Sequence, residues 1–221
     1  VRVQSYLESQ GVTFYLGDTA AKFAGNTAFL KSGKTLDFDA LVLAVGVRPN
    51  VSLVKDAGGK VNRGIVTDGS GLTSLPDVYA AGDCCESWDI TSGESRMLAL
   101  LPNAYLQGEC AGRSMAGEDA RFTNAIPMNA IGFFGLHLIT AGSYLGQKLA
   151  AGDENSYKAF FVEDGFLKGF ILVGNCLENA GVYTSLIRER VPLDTVDFDL
   201  LREHPQFMAF APSKRREMFG R

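Results

Sequence analysis

Several patterns that would assign a function directly are missing from this 221-residue sequence. It contains no Gly-x-Gly-x-x-Gly, so no complete fingerprint for a dinucleotide pyrophosphate is present. Its four cysteines form no Cys-x-x-Cys, and with only two histidines no metal-ligand spacing emerges. No apolar run approaches the roughly 18 residues of a membrane span, and no signal peptide opens the chain. These absences predict no metal site and no association with a membrane.

The composition is that of a slightly acidic globular protein. Hydrophobic residues make up 46% of the chain and charged residues 21%. The formal net charge of −4 argues against binding to nucleic acid. Reduced cysteines are expected in a chain of this class, which predicts a cytoplasmic location. The first residues are helical in pattern and lack an initiator Met, so we expect the sequence to be part of a longer chain.

The stretch from Thr73 to Asp83 organises the rest of the sequence. Its residues 78–81 combine a β-branched, an aromatic and two small side chains, which predicts a short buried strand. Gly82 permits a tight turn at the carboxyl end of that strand, and Asp83 follows at once. Ligands bind at this end of the strands in open α/β sheets, and a carboxylate there suits the hydroxyl groups of a polyol. The alternative is an ordinary strand that ends in a Gly-Asp turn.

Two neighbouring stretches have equally clear patterns. Residues 40–47 are almost continuously apolar, which predicts a strand buried on both faces. Pro102 suits the first turn of a helix and Gly117 suits its end. One face of that helix is made mostly of small residues, which permit close packing: Ala104, Gly108, Ala111 and Met115. The amino end of the helix favours negative charge, because its N–H groups are unpaired and the helix dipole is positive there.

Together these stretches resemble the pyridine nucleotide–disulfide oxidoreductases. Thr73 followed ten residues later by the aspartate of Val-Tyr-Ala-Ala-Gly-Asp resembles the family's second flavin fingerprint, whose aspartate holds the ribityl chain of FAD. The end of the 40–47 run resembles the crossover strand between the two nucleotide-binding domains, with Val45 in place of the usual threonine. The helix after Pro102 resembles the one that points at the pyrimidine edge of the flavin. The resemblance implies flavin contacts from Ala44, Val45, Gly46, Gly82, Asp83, Leu101, Pro102, Asn103 and Ala104.

The same resemblance implies an α/β fold with incomplete FAD- and NAD(P)-binding Rossmann-like domains, followed by an α+β interface domain. The implied boundaries are 1–40 for the remnant of the NAD(P)-binding domain, 41–121 for the carboxy-terminal half of the FAD-binding domain, and 122–221 for a dimerisation domain. Both glycine fingerprints of the family would precede this sequence in a full-length chain. We therefore expect the chain to supply one wall of a flavin site and to be inactive alone.

The remaining elements are predicted from periodicity and turn residues. Before the flavin fingerprint we expect a helix at 1–10, a strand at 12–16, a hairpin over 29–38 and a short strand at 64–68. After it we expect a surface loop at 86–97, strands over 125–146, a hairpin over 157–173 around Asp164-Gly165, a helix at 180–190 and a helical end at 198–221. The basic cluster Lys214–Arg216 in that last segment is expected to be solvated surface.

Some side chains have two interpretations. Cys84 and Cys85 directly follow Asp83 and form either a redox pair or, as we prefer, a structural pair. His137 lies in an apolar run and is either a core histidine, the preferred interpretation, or a proton donor. For Trp88, local packing is preferred over covering the flavin site. For Phe133 and Phe134, a core position is preferred over lining a flavin pocket. No catalytic residue is identified.

Two functions remain open at this point. In the first, the full-length protein passes a hydride from NAD(P)H to FAD and electrons onward, as a homodimer and with a redox partner protein among the possible acceptors. The Phe-Phe-Gly-Leu-His run at 133–137 is similar to the branch that contains NADH oxidases, rubredoxin reductases and nitrite-reductase-like flavoproteins. In the second, the chain is a flavin-free module that dimerises through 122–221. The residues do not choose between NADH and NADPH or among oxygen, a peroxide, a disulfide and a protein as acceptor.

Overall fold

A computed structural model describes residues 2–210 of the chain, so the basic cluster Lys214–Arg216 lies outside the described residues. The described chain divides into two compact units, one up to Arg48 and one from Pro49 onward. This division does not test the domain boundaries predicted from the resemblance, which stay a prediction. No helix among residues 2–210 is both long and apolar enough to cross a membrane.

The first unit contains one helix and one small antiparallel sheet. Helix α1 spans Arg2–Ser9, and the sheet is formed by β1 (Ala20–Ala24), β2 (Thr27–Leu30) and β3 (Thr35–Asp37) in that order. The hydroxyl of Thr27 donates to the carboxylate of Asp37 across the β2–β3 pair at 2.6 Å. The predicted helix and the predicted hairpin are confirmed, whereas the sequence pattern does not reveal β1.

Two strands predicted in this unit are wrong. Residues 12–16 and 40–47 have no strand partner among the described residues. In the second run the side chains of Val42 and Val45 are 85% and 90% exposed. A strand needs neighbours to pair its N–H and C=O groups, so an apolar composition alone does not produce one.

The second unit begins with helix α2 (Ser52–Asp56) and a long loop region that contains the flavin fingerprint. Its strands are β4 (Glu86–Asp89), β5 (Glu94–Met97), β6 (Met128–Phe133), β7 (Leu136–Gly142), β8 (Gln147–Gly152), β9 (Ser156–Glu163) and β10 (Phe166–Gly174). Its further helices are α3 (Leu101–Met115), α4 (Ala180–Arg188) and α5 (Phe198–Glu203), with short 3₁₀ turns at Leu193–Thr195 and Phe207–Ala209.

Five strands form the antiparallel sheet of this unit in the order β6-β7-β10-β9-β8. The β9–β10 hairpin turns at Asp164-Gly165, where both residues have positive φ, at 53° and 77°. A two-residue turn of this hand matches the twist of the strands that it joins. The predicted hairpin over 157–173 and the strands over 125–146 are therefore confirmed, and the structure adds β8.

The hydrophobic core lies between this sheet and helix α4. Phe160, Phe170 and Tyr183 form an aromatic cluster, with ring centroids 4.9 Å apart for Phe160–Tyr183 and 5.5 Å for Phe170–Tyr183. The Tyr183 hydroxyl donates to the backbone carbonyl of Leu201 at 2.7 Å. This bond connects α4 to α5 and pairs the buried hydroxyl of Tyr183. Each fully buried side chain of this size stabilises the fold by about 1.5–3 kcal/mol.

The segment at 86–97, predicted to be a surface loop, is the β4–β5 hairpin. This polar segment contains a structural ion pair: Asp89 is completely buried and accepts two hydrogen bonds from the guanidinium of Arg96. The other carboxylate oxygen accepts from the N–H and the hydroxyl of Thr91 at 2.8 and 2.7 Å. A carboxylate paired in this way closes the hairpin, whereas the sequence pattern suggests only solvated residues.

Strands β7 and β10 approach each other closely at two glycines. Gly142 has φ +77°, and a Cβ atom on it would overlap the carbonyl oxygen of Lys168. On the partner strand, a Cβ on Gly169 would overlap the carbonyl oxygen of Ser143, beside an irregularity in the β9–β10 register. The close approach of the two strands at this point therefore depends on the absence of two side chains.

Replacing Gly142 should consequently damage the fold far more than replacing a glycine with the same backbone angle and free space. Gly165 is the matched control, since its φ is also +77° and no atom lies within 4 Å of its Cβ position. We expect Gly165→Ala to lower the free energy of unfolding by about 1–2 kcal/mol. Gly142→Ala should cost roughly a further 1–3 kcal/mol or more from the overlap. Urea unfolding measures both, and equal losses would contradict the close approach.

Candidate functional site

The flavin fingerprint stretch is a hydrogen-bonded loop and not the buried strand predicted for residues 78–81. Tyr79 forms one isolated antiparallel bridge with Leu72, and the N–H of Ala80 donates to the carbonyl of Gly71 at 2.9 Å. Val78 is 37% exposed. The predicted strand at 64–68 is likewise reduced to isolated bridges, from Ile65 to Cys85 and from Thr67 to Thr73. These backbones pair with other loop residues, so no continuous ladder forms.

Two side chains fix the course of this loop. The Thr73 hydroxyl accepts from the N–H of Leu75 at 3.1 Å, and Thr73 is buried. The Asp68 carboxylate accepts from the N–H and hydroxyl of Ser70 and from the N–H of Leu72. Burial alone would raise the pKa of Asp68, but these bonds and the nearby Arg121 hold that pKa below its usual value. The loop before the fingerprint is therefore ordered by local polar contacts.

A tight turn presents Asp83. The carbonyl of Gly82 accepts from the N–H of Cys85 at 3.0 Å, and the N–H of Ile65 donates to the carbonyl of Cys84 at 2.7 Å. Asp83 occupies the second position of this turn and is exposed. No hydrogen bond or ion pair to its carboxylate is found among residues 2–210. The carboxylate is thus held on a fixed backbone and is available to accept hydrogen bonds.

Helix α3 packs closely against the loop through its small residues. A Cβ built on Gly82 would lie 3.6 Å from the Cβ of Ala104, and one built on Gly71 would lie 3.1 Å from the Cβ of Ala111. Ala104 and Ala111 are two turns apart on α3, so the loop lies along one stripe of the helix. The core interpretation of this stripe holds for Ala111, which is buried, whereas Ala104 is half-buried. Gly108 and Met115, in contrast, are exposed.

The amino end of α3 is open to solvent. Leu101 and Pro102 are exposed, and the residue that precedes the helix, Leu100, provides no side-chain cap. Asn103 is completely buried, and its side-chain amide donates to the carbonyl of Ile126 at 3.0 Å. Any contact from Asn103 to a ligand would therefore come from its backbone. The free N–H groups at this end are suited to a negatively charged group.

The structure places six of the nine predicted contact residues in one unit, around a single turn and helix. The other three, Ala44, Val45 and Gly46, belong to the first unit and are exposed there. Gly46 has φ +88° with open space around it. A role for these three residues in binding flavin remains a prediction.

Sequence reasoning missed two residues that border the site. Gln107 follows Ala104 by one helical turn, and its side-chain amide bonds to both the N–H of Gly82 and the hydroxyl of Ser87. The side chains of Gln107 and Ser87, the two missed residues, line a cavity of about 220 Å³ beside the loop. The i, i+3 spacing of Gln107 from Ala104 was the one available signal, since it places Gln107 on the same side of α3.

The two vicinal cysteines are thiols, with their sulfur atoms 3.6 Å apart. Cys85 is buried in a small core with Val54 and Ile65, whereas Cys84 is half-buried. Burial first, and the neighbouring Cys84 second, raise the pKa of Cys85 well above its ordinary value. The structural interpretation of Cys85 fits these surroundings, because a thiol that stays protonated is a poor nucleophile.

Other side chains with two interpretations lie at the surface. His137 is exposed on β7 beside Gly132, so the prediction of a core histidine is wrong. Phe134 is 63% exposed at the β6–β7 turn, and Trp88 is 49% exposed on β4. The packing interpretation of Trp88 thus holds only in part, and the core interpretation is wrong for Phe134, while Phe133 is half-buried. No group of three potential metal ligands occurs within residues 2–210.

Comparison with known proteins identifies the family. Residues 1–108 match the family described as pyridine nucleotide-disulphide oxidoreductase. The chain belongs to this family. The predicted fold class is confirmed as well, because the solved structures of the reductases described below share the fold of the chain. The pyridine nucleotide-disulphide oxidoreductase match includes the loop, the Gly82 turn and the first half of α3.

Three relatives show how much of a family member the chain represents. An NADH oxidase from Methanocaldococcus jannaschii is 33% identical, over 78% of this chain and 44% of that protein. The structure of a ferredoxin reductase from Rhodopseudomonas palustris has a TM-score of 0.71 and 28% identity, over 78% of this chain and 45% of its own. An NAD-dependent persulfide reductase from A. fulgidus has a TM-score of 0.83 at 22% identity, over 96% and 43%. The chain therefore spans less than half the length of these relatives.

The environments of the two vicinal cysteines predict different reactivities. We expect a thiol reagent at pH 8 to modify Cys84 roughly tenfold or more faster than Cys85, because reaction requires the thiolate and burial disfavours it. Raising the pH to 9 should still leave the reaction at Cys85 slow, because burial raises the pKa of its thiol. Peptide mass spectrometry locates the label, and labelling in urea provides the control in which both react alike. Equal native rates would contradict the buried state of Cys85.

Proposed function

We propose that this chain is the carboxy-terminal portion of a flavin-dependent NAD(P)H oxidoreductase and supplies the ribityl and isoalloxazine side of its FAD site. The observation that carries the proposal is the exposed carboxylate of Asp83, which has no partner among residues 2–210 and stands on a turn that packs against the amino-terminal half of α3. The family match and the names of relatives such as an NADH oxidase support the reaction class.

The residues of this site fit the chemistry of a flavin. Asp83 offers a hydrogen-bond acceptor to the hydroxyl groups of a ribityl chain. The amino end of α3, with exposed Leu101 and Pro102 and no side-chain cap, favours negative charge. Bound FAD would supply the hydride and electron transfer, while the protein supplies binding, orientation and electrostatics. For Ala44, Val45 and Gly46, which belong to the first unit, a flavin contact is proposed on the resemblance alone.

The proposal extends to the assembly of the protein. Residues 122–221 are proposed to form a dimerisation domain, with residues 1–40 and 41–121 as parts of the two nucleotide-binding domains. Three apolar side chains of the five-stranded-sheet region favour such an interface, since Ile131, Tyr144 and Leu145 are 40%, 50% and 73% exposed. A redox partner protein is also proposed, on the similarity to a ferredoxin reductase. The four free thiols favour a cytoplasmic location.

The carboxylate of Asp83 provides the first test. The protein expressed from its complete reading frame should purify with a visible flavin absorption band and bind FAD. Asp83→Ala should weaken FAD binding roughly 10- to 100-fold, because hydrogen bonds to a charged acceptor are lost. Asp56→Ala is the matched control, since Asp56 is exposed at the end of α2 and its substitution removes the same charge. Dissociation constants come from quenching of flavin fluorescence, and equal constants for the two variants would contradict the role of Asp83.

The 221-residue chain by itself should not turn over NAD(P)H. It contains no glycine fingerprint for a dinucleotide pyrophosphate, so neither nucleotide has a phosphate site here. The measurement is NAD(P)H oxidation by the chain with added FAD, followed by absorbance and compared with free FAD alone. Oxidation clearly above that background would show that the chain is catalytically complete.

The second candidate function is a flavin-free dimerisation module, favoured by the exposed apolar side chains of the sheet region. The two candidates differ in what the full-length protein contains. A yellow dimer supports the flavoenzyme, whereas a colourless dimer that does not take up FAD supports the module. Light scattering and the visible spectrum of one preparation separate them.

A further inference from the structure

Gln107 joins three separate elements at the edge of the candidate flavin site. It lies in α3, its amide oxygen accepts from the N–H of Gly82, and its amide NH₂ donates to the hydroxyl of Ser87 on β4. The backbone N–H can only donate, so the amide oxygen must face Gly82 and the NH₂ group is left for Ser87. One side chain thus connects the fingerprint turn, the β4–β5 hairpin and the helix.

The Gly82 N–H depends on this contact. Gly82 adopts φ +85° and packs against Ala104, and no second acceptor for its N–H is found within residues 2–210. Leaving a buried donor unpaired costs about 1–3 kcal/mol. Gln107 is itself half-buried and Ser87 is buried, so water competes poorly for these bonds. The bond therefore holds the peptide that enters the turn in one orientation.

That orientation decides where the carboxylate stands. The peptide before Gly82 precedes the turn that the Gly82 carbonyl closes on the N–H of Cys85, and Asp83 occupies the second position of that turn. Asp83 has no contact of its own that would fix its direction within the described chain. Its placement must come from the backbone, which the Cys85 and Ile65 bonds hold after Gly82 and which Gln107 holds at the Gly82 N–H itself.

We propose that Gln107 is a positioning residue for FAD, which acts by holding the Gly82 turn so that Asp83 meets the hydroxylated chain of the cofactor. This inference rests on the proposed function, because it assigns to Gln107 a role in the same flavin site. A residue that only stabilised the packing of α3 would instead change the stability of the protein without a specific link to Asp83.

The test is a double-mutant cycle in the protein expressed from its complete reading frame, with the dissociation constant of FAD as the readout. Gln107→Met keeps the size of the side chain but leaves the Gly82 N–H unpaired, and should weaken FAD binding roughly tenfold. Gln107→Glu should retain near-normal affinity, since a carboxylate accepts from both the Gly82 N–H and the Ser87 hydroxyl. Gln147→Met, on exposed β8, is the matched control with unchanged affinity.

The decisive comparison uses the Asp83→Ala background. If Gln107 acts through Asp83, adding Gln107→Met to Asp83→Ala should weaken FAD binding less than about twofold further. Two results would overturn the inference while leaving the flavin site in place. One is a double variant in which the fold-losses of FAD affinity of the two single variants multiply, and the other is unchanged affinity in Gln107→Met alone. Absence of FAD binding by the unmodified protein would overturn the proposed function and the inference with it. Should Gln107→Met not fold, Ser87→Ala taken through the same cycle decides by the same criteria, with a smaller single effect.

Discussion

The approach of two glycines to the alanine stripe of α3 is the contact on which the site depends. Gly82 meets Ala104 and Gly71 meets Ala111: a Cβ atom on Gly71 would lie only 3.1 Å from that of Ala111, whereas one on Gly82 would lie in ordinary contact with Ala104 at 3.6 Å. Both glycines also have positive φ, which ordinary residues adopt only at a cost. The loop can lie along the helix because neither partner has more than a methyl group at the contact. The turn that presents Asp83 is consequently fixed without a regular strand.

The chemistry of the site follows from this placement. The Asp83 carboxylate has no partner among residues 2–210 and stands near the amino end of α3, so an acceptor and backbone donors for one extended polar ligand lie close together. The neighbouring thiols contribute little, since Cys85 is buried with its pKa raised and serves the small core around Ile65. Gln107, which carries no charge, contacts the turn directly, because its side chain accepts a hydrogen bond from the half-buried Gly82 N–H.

At the apolar run 40–47 the local sequence pattern and the structure disagree. Its composition is that of a strand with neighbours on both sides, but Val42 and Val45 are almost fully exposed. Backbone pairing is a property of two chains in space, so a segment without an adjacent strand cannot form a ladder whatever its side chains. The chain spans less than half the length of its relatives, and the exposed run belongs to the part that matches the family.

The sequence alone determined the family, the helix that begins at Leu101, the β9–β10 hairpin around Asp164-Gly165, and the aspartate that stands at the centre of the proposed site. These features rest on short-range chemistry: the backbone freedom of glycine, the position of proline in a first helical turn, and a fixed spacing of motif residues. Only the tertiary structure decided that the fingerprint is a loop, that 86–97 closes as a hairpin around buried Asp89, and that Gln107 bonds to Gly82. Those outcomes depend on contacts between residues 7 to 25 positions apart, where burial and hydrogen bonding override local pattern.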